Sequence, residues 1–121
     1  MPMPESDGSH HLISPAEVGR LRELGEPIRV LDARGRAAFA HGDERVAGDV
    51  RAEGKDVSWA GALPREAWLL AYCTCLGDGL ALRVAARLRE AGFPQARAVA
   101  GGLEGCRQAG LPIVRKESQG S

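Results

Sequence analysis

Two cysteines separated by one residue stand in the stretch Cys73-Thr74-Cys75-Leu76-Gly77-Asp78-Gly79. An apolar run, Trp68-Leu69-Leu70-Ala71-Tyr72, leads straight into it, and a helical pattern from Leu80 follows it. A loop set between a strand end and a helix start is suited to thiolate chemistry. The first turn of a helix offers unpaired N–H groups and the positive end of the helix dipole. A loop wrapped over that end can aim several amides at one point and form an anion cradle. A cysteine in such a cradle is expected to ionise more readily, because its thiolate is the favoured form. Gly77 and Gly79 allow close backbone approach without a Cβ. A thiolate held there can act as a nucleophile and then carry an extra charged atom, such as the outer sulfur of a persulfide. The competing reading is packing, since buried thiols are common small core groups. A Cys-x-Cys pair at a strand end fits packing less well than a lone cysteine does, and the reactive reading is preferred.

The charges around these cysteines run against part of that chemistry. Asp78 lies inside the loop, and no Arg or Lys occurs before Arg83. A carboxylate beside a thiolate opposes ionisation and repels anionic donors. At ~4 Å and an effective dielectric of ~20 the interaction is about 4 kcal/mol. Pointing away, Asp78 would be solvated or would cap the following helix. His10, His11 and His41 show no zinc-site spacing with the cysteines, and Cys73 and Cys75 alone supply two ligands, so neither a metal nor a cofactor is expected.

The elements that must position the loop can be read from periodicity. Ser14-Pro15-Ala16-Glu17 forms a capping box with proline at the first helical position. Val18, Leu21 and Leu24 continue at helical spacing up to Gly25. Ile28-Arg29-Val30-Leu31 reads as a short strand ending at Asp32, and Arg36 to His41 as a short helix. Val46 to Val50 is a second short strand or a turn, and Asp56 to Leu63 a helical turn stopped by Pro64. The run Trp68 to Tyr72 has the length and apolarity of a strand buried on both faces of a parallel sheet. Leu80 to Ala91 carries Ala81, Val84, Ala85 and Leu88 on one helical face. Ala96 to Ala100 reads as a further core strand, and Leu103 to Ala109 as a last helix. Strands alternating with helices predict an α/β fold with a mostly parallel sheet.

The 121 residues fit one domain. Equal numbers of basic and acidic residues, 16 of each, give no net charge and argue against a general nucleic-acid binder. No apolar run approaches the ~20 residues of a membrane span. Met1 to His10 lacks the apolar stretch of a signal peptide. Three cysteines argue against a disulfide framework, so a cytoplasmic setting is expected. Residues 1–12 and 115–121 lack periodicity and are expected to be disordered, leaving a domain over 13–114.

Several segments together resemble a known family. Val30-Leu31-Asp32-Ala33-Arg34 is similar to the Leu-Asp-Val-Arg strand end of rhodanese domains, and Val46-Ala47-Gly48-Asp49-Val50 to their Ile-Pro-Gly-Ala segment. Tyr72-Cys73 resembles the opening of their active loop. Ala91-Gly92-Phe93, Gly101-Gly102-Leu103-Glu104 and Ala109-Gly110-Leu111-Pro112-Ile113 resemble further signatures, in the family's order. The chain is most similar to single-domain bacterial rhodaneses with a Tyr-Cys-x-Cys loop. The resemblance implies a rhodanese-like α/β fold, with a central five-stranded sheet flanked by helices on both faces. It also implies sulfurtransferase activity, moving sulfane sulfur from a small donor such as thiosulfate, through a cysteine persulfide, to a thiol or cyanide-like acceptor or a protein. It assigns catalysis to Cys73 or Cys75, substrate binding to the loop backbone of Thr74, Leu76, Gly77, Asp78, Gly79 and Leu80, and structural roles near the site to Asp32 and Arg34.

The strand match makes Cys73 the nucleophile, whereas counting back from Gly92-Phe93 makes it Cys75. We prefer Cys73, with Cys75 as a resolving thiol. Cys106 stands where the family often has Trp and reads as a buried small hydrophobe, with Trp59 and Trp68 compensating elsewhere. A phosphatase-like reaction would need an arginine six residues beyond the nucleophile. That position holds Gly79 or Ala81, which disfavours phosphatase or arsenate reductase chemistry. The absent loop cation leaves an alternative: a catalytically weak rhodanese-like module that binds a protein or takes part in partner-specific sulfur delivery. A thiol redox role for Cys73 and Cys75 is a third reading.

Overall fold

The computed structural model describes residues 11–52, 57–74 and 76–116. In chain order the elements are β1 (Leu12–Ile13), α1 (Pro15–Glu23), β2 (Ile28–Asp32), α2 (Arg36–His41), β3 (Glu44–Val46) and β4 (Val50–Arg51). A 3-10 helix over Ser58–Ala62, β5 (Trp68–Tyr72) and a short 3-10 turn over Leu76–Asp78 follow. The chain then forms α3 (Gly79–Glu90), β6 (Ala96–Val99), α4 (Gly102–Gln108) and β7 (Ile113–Arg115). Five strands form a parallel sheet in the order β1-β6-β5-β2-β4, so the expected α/β architecture is present. An antiparallel pair, β3 with β7, stands apart from it.

Strand β5 lies at the centre, and its sequence shows why. Leu69, Leu70, Ala71 and Tyr72 are all buried, as a strand covered on both faces requires. Alternation divides them. Leu69, Ala71 and the following Cys73 join Leu31, Ala81, Ala85 and Leu88 in one core layer, under α3. Leu70 and Tyr72 join Val18, Val99 and Cys106 in the other, under α1 and α4. Helices therefore cover both faces. Helix α1 starts at the expected capping box: the Glu17 amide donates to Ser14 Oγ at 3.1 Å, and the Ser14 amide donates to Glu17 Oε1 at 3.1 Å.

Several expectations shift. The segment from Val46 to Val50 is neither one strand nor only a turn: it ends β3 in the small pair, reverses through Ala47–Asp49 and begins β4 in the main sheet. Leu24 leaves the apolar stripe because α1 stops at Glu23, and it is 67% exposed. Residues 11, 12, 115 and 116, expected to be disordered, are described, and the Lys116 amide donates to the Asp43 carbonyl at 2.7 Å. Leu12 pairs with Ala98 in β1, and Arg115 pairs with Glu44 in β7, where backbone hydrogen bonding outweighs polar composition. The rest of the expected terminal segments, 1–10 and 117–121, lies outside the described residues. Trp59 and Trp68 are half-buried against the two core layers, Trp68 in the layer that holds Cys106. No helix among the described residues is long and apolar enough to cross a membrane.

Helix α4 approaches β6 closely because of Gly105. A Cβ built there would stand 2.0 Å from the Ala100 carbonyl oxygen. Gly105→Ala must therefore push α4 off the sheet, and we expect a loss of about 3 kcal/mol in stability, read by urea denaturation.

Candidate functional site

The candidate site lies at the carboxyl ends of β5 and β6, beside that of β2, the usual edge for ligands in open α/β sheets. Cys73 follows β5 directly. Period-2 alternation turns its side chain to the α3 side, where Ala81 of the first turn of that helix belongs to the same layer. Its thiol is not in a disulfide, and its surface is fully buried. Cys73 nevertheless forms part of the wall of a shallow cleft of about 350 Å³, together with Thr74, Gly77, Asp78, Gly101, Leu103 and Glu104.

Behind Cys73, the chain reverses with two successive residues in the left-handed region, Gly77 at φ 72° and Asp78 at φ 60°. Asp78 is the one non-glycine with positive φ among the described residues. Asp78 stands at the start of α3, but its carboxylate makes no capping bond to that helix. It accepts a hydrogen bond from the Gly101 amide at 3.3 Å, across the cleft. The neighbouring Gly102 packs on the backbone of Cys73. A Cβ at Gly102 would lie 1.9 Å from the Cys73 carbonyl oxygen and 3.8 Å from Asp78 Oδ1. Gly102 has φ +61°, so glycine is required both for space and for conformation.

The other expected residues divide. Thr74, Gly77 and Asp78 line the cleft with Cys73. Leu76 enters through its backbone, in the 3-10 turn. Gly79 and Leu80 are the first residues of α3, and Leu80 lines a separate recess with Ala33, Gly35 and Arg83. Cys75 lies outside the described residues, as does His10, while His41 is exposed and no metal-binding cluster occurs among the described residues.

Asp32 and Arg34 stand behind the loop, 1% and 2% exposed. Arg34 donates to Asp32 through Nε at 3.0 Å and through Nη2 at 2.7 Å, and its backbone amide donates to Asp32 Oδ1 at 3.0 Å. Burial alone would lower the guanidinium pKa. The hydrogen bond and charge of Asp32 more than reverse this and raise it. The guanidinium lies 5.4 Å from the centre of the Tyr72 ring and 5.5 Å from that of Phe39. The Tyr72 hydroxyl donates to Asp49 Oδ2 at 2.5 Å, and Asp49 also pairs with Arg45 at 2.7 Å. Burial pushes the Tyr72 phenol pKa up, and the bond to Asp49 adds to the shift, so the proton stays on the phenol.

Sequence reasoning missed Asp49, the Tyr72 phenol and the wall made by Gly101, Leu103 and Glu104. Asp49 has a local partner in Arg45, but its bond to Tyr72 spans 23 residues and leaves no local signal. The Gly101-Gly102 pair could have been found as two successive positions needing positive φ.

No family model and no curated protein matches this chain. Solved structures do. A full-length protein from Lactobacillus plantarum superposes with a TM-score of 0.72 at 24% identity, covering 92% of both chains. The rhodanese-like domain of a protein from Anabaena sp. superposes with a TM-score of 0.68 at 24% identity, covering 92% of this chain and 83% of that one. A thiosulfate sulfurtransferase from Pseudomonas aeruginosa gives 0.65 at 22% identity over 87% of this chain, which spans 20% of that protein. The likeness is one of fold, and the fold is that of rhodanese-like domains.

Two measurements follow from this packing. Tyr72→Phe removes the donor from buried Asp49 and should cost about 1–3 kcal/mol in denaturation, with the fold retained. Burial pushes the Cys106 thiol from 9.0 up to about 12, with Asp49 and Asp32 adding to the shift. The native state therefore holds this proton more tightly than the unfolded chain. The stabilisation is complete below pH 9.0 and declines as pH rises towards about 12. Cys106→Ala should flatten that alkaline decline. The same slope in both proteins would show that Cys106 has no part in it.

Proposed function

We propose that this domain is a sulfurtransferase working through a persulfide on Cys73. The observation that carries the reading is the placement of Cys73, at the end of the central strand, in a cleft and facing the start of α3. The twelve-residue α3 brings the positive end of its dipole to that edge. The change from left-handed backbone at Asp78 to the helix at Gly79 is a conformation that turns successive amides towards one concavity. Such a concavity suits a thiolate and then a persulfide, each carrying negative charge at the tip. The thiosulfate sulfurtransferase among the structural neighbours supports the same class of reaction.

The chemistry has two displacements. The Cys73 thiolate forms a bond to the outer sulfur of a sulfane donor. The donor's own bond to that sulfur breaks, and its electron pair leaves with the remainder. A thiophilic acceptor, a small thiol, a cyanide-like nucleophile or a protein thiol, then bonds to the outer sulfur and releases the Cys73 thiolate. No redox change or metal is needed. Cys75 would serve as a second thiol in the loop. Asp32 and Arg34 act at a distance, by holding Tyr72 and so the start of the loop.

A second reading has its own support. Cys73 is fully buried, and the charged residues in its cleft wall are both acidic. These features favour slow turnover with small anions, and a module that binds a protein or delivers sulfur to a specific partner.

Mass spectrometry after incubation with sulfane donors separates the readings. A gain of one sulfur atom on the peptide containing Cys73 is expected, and Cys73→Ser should lower transfer by on the order of 10³-fold or more. Cys106→Ser should retain the gain. Absence of added sulfur on Cys73 with every donor, or full transfer by Cys73→Ser, would rule the mechanism out.

A further inference from the structure

The cleft above Cys73 has an electrostatic character that the reaction alone does not specify. Its charged wall residues are Asp78 and Glu104. The Gly101 amide donates to one oxygen of Asp78 at 3.3 Å, which orients the carboxylate towards the Gly101–Gly102 side of the cleft, where Gly102 lies against the Cys73 carbonyl. Glu104 pairs with Arg107 at 3.1 Å, but the same guanidinium pairs with Glu44 at 2.6 Å. One cation thus serves two carboxylates, and this group keeps a net negative charge. Glu44 and Asp43 line the adjoining cleft, which shares Thr74 and Leu103 with the first.

Among the described residues no cation lines the Cys73 cleft itself. Arg34 is buried against Asp32 at 2.7 Å. Arg83, the first basic residue after the loop, lines the recess with Leu80 and Ala33 instead of the Cys73 cleft. Arg34 and Arg115 line the adjoining cleft together with Asp43 and Glu44, so that cleft carries both signs and the unbalanced charge is confined to the Cys73 cleft. A small dianion therefore meets negative charge at the point of approach, whereas a cation is drawn in.

We propose that the donor this site takes is a positively charged alkyl persulfide, not a small sulfur oxyanion, and that Asp78 and Glu104 set this preference. The proposal rests on the sulfurtransferase reading and specifies its substrate class. In the step, the Cys73 thiolate bonds to the terminal sulfur of R–S–SH. The sulfur–sulfur bond breaks and its electron pair leaves as R–S⁻; the transferred sulfur arrives as S–H and then gives its proton to R–S⁻ or water, which leaves the persulfide charged. No further oxidant or reductant takes part. The positive charge on R keeps the leaving thiolate close to Asp78 and Glu104 without added repulsion.

The test compares two probes with the same sulfur chemistry and opposite charge, cysteamine persulfide and N-acetylcysteine persulfide, with thiosulfate as a third. Sulfur loading of Cys73 is followed by rapid-quench mass spectrometry. The full chain should load faster from the cationic probe by about fivefold or more at low salt. Added salt should slow the cationic probe and speed the anionic one. Asp78→Asn keeps an oxygen for the Gly101 amide while removing the charge, and should narrow the gap. Glu104→Gln, on an exposed side chain, should narrow it independently of any disturbance to the loop. Equal loading rates from both persulfides, or a gap unchanged in both variants, overturns the charge assignment while leaving sulfur transfer intact. No loading from any probe overturns the sulfurtransferase reading itself.

Discussion

A carboxylate with 1% exposure, that of Asp32, governs the edge of the sheet where the site lies. Removing an ion from water costs several kcal/mol unless its lone pairs are satisfied. Asp32 meets that demand chiefly through Arg34, and Arg51 Nη1 stands 3.9 Å from Oδ1. Arg34 curls back over two positions to present Nε, Nη2 and its own amide. From the other side, Arg51 donates to the Asp32 carbonyl oxygen at 2.9 Å and so ties in the end of β4. This geometry puts the Arg34 guanidinium beside the Tyr72 ring, at the end of the neighbouring strand. Tyr72 in turn reaches Asp49 on the turn between β3 and β4. Strands β2, β4 and β5 are thereby tied at the same edge, and Cys73 is the next residue along.

Much of this edge could be read from local sequence. The strand run Trp68 to Tyr72, the capping box at Ser14 and the helical face Ala81, Val84, Ala85 and Leu88 all lie where periodicity put them. They are legible because each depends on neighbours a few residues away. The two-residue strands β1 and β4 are not legible: they exist only because β6 and β2 present hydrogen-bonding edges to them. The β3–β7 pair joins residues about 70 positions apart and has no local signal. The candidate site divides in the same way. The cysteine loop announces itself by composition, whereas its opposite wall, from Gly101 to Glu104, is brought there by the crossover through α3 and β6.

The backbone at Asp78 shows why that wall matters. A left-handed conformation costs a residue with a Cβ about 1–3 kcal/mol, and Gly77 beside it adopts the same region without that strain. At Asp78 part of that cost is offset by the bond from the Gly101 amide, a solvent-exposed contact at 3.3 Å worth about 0.5–1.5 kcal/mol. The loop conformation and the Gly101 amide therefore support one another. Gly102 keeps that amide in place, since its missing Cβ is what lets the turn lie against the Cys73 carbonyl. The turn that supports the candidate nucleophile is thus the turn that orients a carboxylate beside it. The negative charge at the cleft is built into the backbone contact between loop and wall.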